Sequence, residues 1–213
     1  MARADGRTSL FDRWSAAYDG AALQRVAYRP VHDAVLARVD DLEPETVVDL
    51  GCGTGQLSRR LLVRFPEATI VGVDVSDGML ARAADRLASS DADRYGLVRA
   101  SAGWLPLTRS SVDLVVCTES FHWYPDQARA LQDLADVLRS GGRLVVASIA
   151  LVTDVGDRLV RSVTRAGGTP VRAMPSHRMR QLLARSGFDV IHQRRIPRLG
   201  PIGWPVLTDA RRR

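Results

Sequence analysis

Val47-Val48-Asp49-Leu50-Gly51-Cys52-Gly53-Thr54-Gly55 is the stretch on which the reading of this chain turns. A short, β-branched apolar run ends in an acid and opens into three glycines at alternate positions. The run predicts a buried strand, and the glycines predict a loop whose bare backbone can approach a ligand. Gln56 to Phe65 follows as a helix with Leu57, Leu61, Leu62 and Phe65 on one face. Strand, glycine loop and helix N-terminus together form a site for a nucleoside-type cofactor. A plain strand-to-helix turn rarely needs three glycines so close together.

Thr69-Ile70-Val71-Gly72-Val73-Asp74 is a second buried strand ending in an acid, about 20 residues after the loop. In doubly wound folds an acid at that place accepts hydrogen bonds from ribose hydroxyls. The glycine spacing is Gly51-x-Gly53-x-Gly55, so the third glycine arrives one residue earlier than in the dinucleotide fingerprint. That spacing argues against a pyrophosphate and so against a dinucleotide-dependent oxidoreductase. It favours a nucleoside cofactor that carries no pyrophosphate.

From this core the pattern extends outward as alternating strands and helices. Strands are predicted at 46–50, 69–74, 96–100, 112–117 and 143–149, with helices at 56–65, 77–88 and 126–139 between them. This alternation predicts an α/β, doubly wound, mostly parallel sheet with helices on both faces and right-handed crossovers. Upstream, Leu10, Trp14 and Tyr18 share one helical face, and a second helix at 31–39 follows Arg29-Pro30. Residues 151–175 break the alternation. Ser176 is predicted to cap a helix to Arg185 that Gly187 closes, and Phe188 to Arg195 is read as the sixth strand.

At 213 residues the chain suits one domain with a full core. Its 46% hydrophobic and 25% charged residues are ordinary for a globular enzyme. No run reaches the length of a membrane span, and residues 1–12 show no signal-peptide core. Cys52 and Cys117 offer no disulfide framework, which points to the cytoplasm. Four histidines and two cysteines show none of the short spacings of a zinc site, so no metal is expected. The net charge of +6 is uneven: residues 178–213 hold nine Arg against two acids. That segment lacks the interleaved aromatics of base stacking, so nucleic acid is not the expected partner.

Val47–Ser58 and Val71–Leu80 resemble the first two cofactor motifs of the class I S-adenosylmethionine-dependent methyltransferases. Leu105-Pro106-Leu107, Val112 to Val116, His122-Trp123 and Val137 to Arg143 match later landmarks of that family in order. Ser186 to Val190 resembles the last helix-to-strand junction of its small-molecule branch, which includes the ubiquinone and menaquinone C-methyltransferases. The resemblance covers roughly residues 10–195 of the chain. It implies a seven-stranded Rossmann-like sheet with an antiparallel last strand, S-adenosylmethionine as cofactor and a small, hydrophobic or aromatic acceptor. It also implies one domain over 1–213, with lid helices in 1–44, a cofactor-binding core in 45–150, a substrate lid in 151–175 and a C-terminal helix and strands in 176–213. The last strand is expected near 203–210. Because proline cannot donate to an interior ladder, Pro201 and Pro205 predict a shortened strand, Val206 to Ala210, or a distorted edge.

The cofactor-binding set that the resemblance implies is Tyr18, Arg29, Asp49, Gly51, Cys52, Gly53, Gly55, Asp74, Val75, Met79, Ser101, Ala102 and Thr118. Amides around Gly51 and Gly53 face the methionine half. Asp49 bonds loop amides, reaches the methionine ammonium through water, or only caps the loop. Asp74 takes the ribose, and Val75 and Met79 bracket the adenine, unless Met79 is helix core. Ser101 stands where the family often has an Asp, and Trp104 either covers the adenine or packs its own loop. Tyr18 and Arg29 close over the cofactor, with Arg25 competing for the methionine carboxylate. On the substrate side, His122 and then Glu119 are the candidate bases for an acceptor that must lose a proton, unless His122 only packs its loop. A relative that keeps the pocket without catalysis is the remaining alternative.

Overall fold

Val47–Leu50, Ile70–Val73 and Leu114–Cys117, three short runs rich in β-branched residues, lie side by side in one sheet. The computed structural model describes residues 27–87, 93–150, 156, 160, 162–165, 171–197 and 204–213. In chain order the elements are α1 (Arg29–Arg38), β1 (Thr46–Leu50), α2 (Gln56–Arg64), β2 (Thr69–Asp74), α3 (Asp77–Leu87) and β3 (Tyr95–Arg99). They continue with β4 (Val112–Thr118), a single 3-10 turn at Phe121–Trp123, α4 (Gln127–Val137), β5 (Leu138–Ile149), α5 (Ser176–Arg185), β6 (Phe188–Arg195) and β7 (Pro205–Arg212). The strands form one seven-stranded sheet in the order β3-β2-β1-β4-β5-β7-β6, with β7 antiparallel to both neighbours.

Alternate residues of each central strand enter opposite cores, so strands covered on both faces read as continuous apolar runs. Val48, Leu50, Val115, Cys117, Leu144 and Val146 pack toward Leu131 and Leu134 of α4 and Leu183 of α5. Val47, Ile70, Leu114, Val116, Val145 and Leu207 pack toward Val31 and Val35 of α1 and Leu57, Leu61 and Leu62 of α2. Helix α1 runs in the same direction as α2, because Asp33 pairs with Arg60 and Asp40 with Arg64 one turn further along. Arg29 therefore begins α1 at the glycine-loop end of the molecule. The fully buried Asp209 of β7 fastens α1 to the sheet: Arg38 and Arg143 both close on its carboxylate.

The last strand departs from expectation. β7 is neither shortened nor at an edge; it runs for eight residues between β5 and β6. Pro205 is its first residue, where a missing N–H is tolerated, and its carbonyl still accepts from the Ile196 amide at 2.8 Å. Pro201 lies outside the described residues, as do the predicted helix at 10–18, Tyr18, Arg25 and most of 151–170. β5 begins at Leu138, five residues early, because Leu138 pairs with Val112 before Gly141 turns the chain at φ +79°. Ser176 does not cap α5; Pro175 holds the cap position and no side chain bonds there. Gly187, at φ +88°, closes that helix as predicted.

Candidate active site

The C-terminal ends of β1, β2, β4 and β5 and the start of β7 share one edge of the sheet, where ligands of open α/β folds bind. At its centre Gly51, Gly53 and Gly55 have φ of +73, +54 and +75°. These are left-handed conformations that side chains disfavour, which is the reason for alternate glycines. The loop is hung from the end of β2: Gly51 and Cys52 donate to the Val73 carbonyl at 2.7 and 3.1 Å. Gly53 N–H donates to Asp74 Oδ2 at 2.9 Å, and Ser76 N–H to Asp74 Oδ1 at 3.0 Å. Asp74 is thus a latch on the loop as well as the acid at the second strand's end. A carboxylate has about four acceptor positions, and these two amides take two of them.

Asp49 lies beneath the loop, 1% exposed, and accepts the Ser58 hydroxyl of α2 at 2.6 Å. Burial pushes its carboxyl up to about 7; the Ser58 hydroxyl works against that rise and the nearby Asp74 charge adds to it. The Cys52 thiol, buried beside both acids, is pushed upward and stays protonated. The Tyr95 phenol, raised by burial, enters the same pocket over the bare α carbon of Gly72. A Cβ on Gly72 would lie 3.0 Å from Leu97 Cδ2 and 3.1 Å from Cys52 Sγ, and closer still to the Tyr95 hydroxyl.

On the other side of the loop stands a cluster that no sequence pattern announces. Ser120 Oγ donates to the Leu50 carbonyl at 3.1 Å and contacts Tyr124 Oη at 3.0 Å and Cys117 Sγ at 3.1 Å. All three groups keep their protons, because burial raises Cys117 to about 11 and Tyr124 upward as well. The cluster presses on Gly51, where a Cβ would come within 2.5 Å of Ser120 Cβ. Glycine at 51 therefore serves both its backbone angle and this close approach.

The remaining expected residues divide. Val75 is partly buried, Ala102 is buried, and Ser101 is exposed at the end of β3, with Ala100 N–H tied to the Asp74 carbonyl at 3.0 Å. Met79 is 3% exposed, one of the buried residues of α3 with Ala83 and Leu87. Trp104 bridges to Ser101 and is 69% exposed. Arg29 is exposed at the loop end of α1. Thr118 ends β4 opposite Ala147, and Glu119 follows with a left-handed φ of +52°. A non-glycine residue held there is strained, and such strain gathers at functional sites.

His122 is 1% exposed, and its Nδ1 meets Ser148 Oγ at 3.0 Å. Ser148 in turn lines a small cleft with Phe121, Arg172, Met174, Ser176 and Thr208. His122 therefore reaches that cleft through Ser148. Its turn is clamped to the 171–174 segment: Arg172 N–H donates to the His122 carbonyl at 2.8 Å. Gln127 Nε2 donates to the Phe121 and Arg172 carbonyls at 3.0 and 2.9 Å. Among the described residues no cluster of His, Cys, Asp and Glu is arranged to hold a metal, and no helix is long and apolar enough to cross a membrane.

Residues 47–142 match a family described as a methyltransferase domain. Over 193 residues the chain is 32% identical to the malonyl-[acyl-carrier protein] O-methyltransferase of Geobacter sulfurreducens, covering 84% of this chain and 68% of that protein. It is 37% identical over 145 residues to the trans-aconitate 2-methyltransferase of Methylobacterium nodulans, covering 68% of this chain and 53% of that one. The chain spans only 62% of the length of the malonyl-[acyl-carrier protein] O-methyltransferases of Methylovorus sp. and Methylococcus capsulatus. In fold it superposes on the N-methyltransferase NodS of Bradyrhizobium japonicum, solved with S-adenosyl-L-homocysteine, with a TM-score of 0.76 at 16% identity over 96% of this chain and 97% of that one. From the sheet order, the latched glycine loop and these relatives together, the chain belongs to the class I S-adenosylmethionine-dependent methyltransferases.

Proposed function

We propose that this chain binds S-adenosylmethionine and transfers its methyl group to a small acceptor with a largely apolar body. The observation that carries the reading is the glycine loop, three left-handed glycines latched to Asp74, at the sheet edge where ligands of open α/β folds bind. The residues present fit the cofactor. Gly51 and Gly53 leave their α carbons bare, Asp74 lies within reach of the loop, and Val75, Ser101 and Ala102 follow along the edge toward β3. In this reading Gly51, Cys52, Gly53 and Gly55 hold the methionine half, Asp74 the ribose, and Val75, Ser101 and Ala102 the adenine. Met79 supports that wall from the α3 core. Asp49 holds the loop from below, and Thr118, Arg29 and Tyr18 flank the cofactor.

When bound, the cofactor supplies an electrophilic sulfonium methyl. The chain's contribution is to position and desolvate, because methyl transfer is an in-line displacement whose leaving group the cofactor carries. The Ser120–Tyr124–Cys117 cluster gives the loop a neutral, protonated floor that neither repels a cation nor offers a competing nucleophile. Where the acceptor must lose a proton, His122 would take it through Ser148, with Glu119 the second candidate. Phe121, Ile149, Met174, Met179 and Val206 give the cleft apolar walls, which supports an apolar body, quinols and phenols included. The malonyl-[acyl-carrier protein] and trans-aconitate named for the relatives favour a small or carrier-borne acceptor. Two buried free cysteines suit a reducing cytoplasm.

S-adenosylhomocysteine should raise the melting temperature by mass action on the folded state, while NAD and NADP at the same concentration leave it unchanged. Stabilisation by NAD with none by S-adenosylhomocysteine would overturn the reading.

A further inference from the structure

Glycine takes either sign of φ readily, so nothing in Gly51 itself fixes the plane of the Leu50–Gly51 peptide. That peptide is held from two sides instead. Gly51 N–H donates to the Val73 carbonyl of β2 at 2.7 Å, and the Leu50 carbonyl accepts the Ser120 hydroxyl, 70 residues away and just beyond β4, at 3.1 Å. A serine hydroxyl has one proton and two lone pairs. With its proton given to Leu50, Ser120 Oγ can only accept from its other neighbours, Tyr124 Oη at 3.0 Å and Cys117 Sγ at 3.1 Å. Both have protons to give, because burial raises the phenol and the thiol. The direction of the chain is therefore fixed: Tyr124 donates to Ser120 and Ser120 to Leu50, each bond polarising the next. Ser120 belongs equally to the turn that carries His122. Its carbonyl accepts Trp123 N–H at 2.9 Å, and Tyr124 N–H closes the turn on the Phe121 carbonyl at 3.2 Å. Glu119, immediately before it, keeps its left-handed φ of +52° with its N–H on the Ala147 carbonyl at 2.7 Å, a strained backbone at the joint between turn and loop.

We propose that Ser120 and Tyr124 are positioning residues that tie the acceptor-side turn to the cofactor loop. Ser120 holds the Leu50–Gly51 peptide in the orientation that receives the methionine half of the cofactor, and Tyr124 holds Ser120. The proposal rests on the methyltransferase reading and deepens it, by assigning to cofactor binding two side chains outside the expected cofactor set. A loop already held in place binds its ligand without the entropy loss of ordering a glycine backbone at that moment. The coupling runs both ways: a cofactor that settles the loop also settles the turn through the same two bonds. The two hydroxyls act in series, so without Ser120 the Tyr124 hydroxyl has no route to Leu50.

The test is calorimetric titration of S-adenosylhomocysteine into the unaltered chain, Ser120→Ala, Tyr124→Phe and the double variant, each at a temperature where its own melting curve shows it folded. Tyr124→Phe keeps the ring and removes only the hydroxyl. Affinity should fall roughly 5- to 50-fold in Ser120→Ala, which takes this donor from the Leu50 carbonyl, and roughly 2- to 10-fold in Tyr124→Phe. The double variant should match Ser120→Ala alone, as groups in series require. Hydrogen exchange at the Trp123 and Tyr124 amides should slow when S-adenosylhomocysteine binds the unaltered chain, and slow less in Ser120→Ala. A cluster with a structural role alone would lower the melting temperatures and leave these affinities unchanged. That result, a double variant whose loss is the product of the two single losses, or exchange at those amides that ignores the cofactor would overturn the proposal. Absence of S-adenosylhomocysteine binding to the unaltered chain would instead remove the methyltransferase reading, and this inference with it.

Discussion

Replacing Gly51 with Ala probes how the glycine loop is built, since two separate costs meet at one atom. The backbone angle is +73°, and left-handed geometry costs a residue with a side chain roughly 1–2 kcal/mol. The new Cβ would sit 2.5 Å from Ser120 Cβ, about 1 Å inside ordinary contact. Ser120 cannot swing away freely, because its hydroxyl holds the Leu50 carbonyl and contacts Tyr124 and Cys117. Overpacking of this kind costs roughly 1–3 kcal/mol. Together the destabilisation is about 2–5 kcal/mol, a drop of roughly 4–20 °C in a chain of this size. Differential scanning calorimetry measures it directly. Ser120→Gly in the same background should return the steric part and leave the angular part. A double-mutant cycle should therefore show a favourable coupling of about 1–3 kcal/mol between positions 51 and 120. Gly51→Ala melting within a degree or two of the unaltered chain, or a cycle with no coupling, would refute the placement of Ser120 against the loop.

Asp49→Asn should stabilise the fold at pH 8, because the ionised carboxylate is buried and the amide is not charged. Asp49's contribution to stability is fully present below its unfolded value near 4 and is lost as pH rises to about 7, so the advantage of the Asn variant, on the order of a few kcal/mol, should vanish by pH 4 in paired urea titrations. His32, buried in α1 and depressed to about 4 by burial and by Arg60, has the opposite sign. Its contribution is present above pH 6.5 and lost on acidification through pH 4, so His32→Gln should flatten the acid limb of the stability curve. Arg143→Met should leave the buried Asp209 short of one partner and cost roughly 3–5 kcal/mol by denaturant unfolding, with S-adenosylhomocysteine binding retained at temperatures where the variant is folded.

The bounds of β1, β2 and β6 were legible in the sequence because each is a run closed by glycine or by a charged end, and the sheet class followed from their alternation with helices. The last strand was not, because Pro205 forbids an interior donor only if it lies inside the strand, and whether it is the first residue depends on the register with Ile149. In the site, the glycines and the acids Asp49 and Asp74 stand out because backbone geometry and strand ends constrain those positions locally. Asp74's bond to Gly53, and Asp49's to Ser58 rather than to loop amides, depend on how the elements stack. The Ser120–Tyr124–Cys117 cluster is local in sequence, but its contact with Leu50 and Gly51 at the end of β1 depends on how the strands stack and has no periodic signature. The outward turn of Trp104 and the Gln127 clamp on Arg172 are likewise properties of packing.

Isothermal calorimetry of S-adenosylhomocysteine with the unaltered chain and with Asp74→Asn tests the central claim most directly. Asn keeps the size and one acceptor of Asp74 but removes the charge that the Gly53 amide and the ribose hydroxyls would share. The account predicts saturable binding at one site per chain, weakened roughly 10- to 100-fold by Asp74→Asn, with the empty variant folded at the assay temperature but melting lower, because either the Gly53 or the Ser76 amide loses its acceptor. No binding to the unaltered chain, or equal affinity in the two proteins, would contradict it.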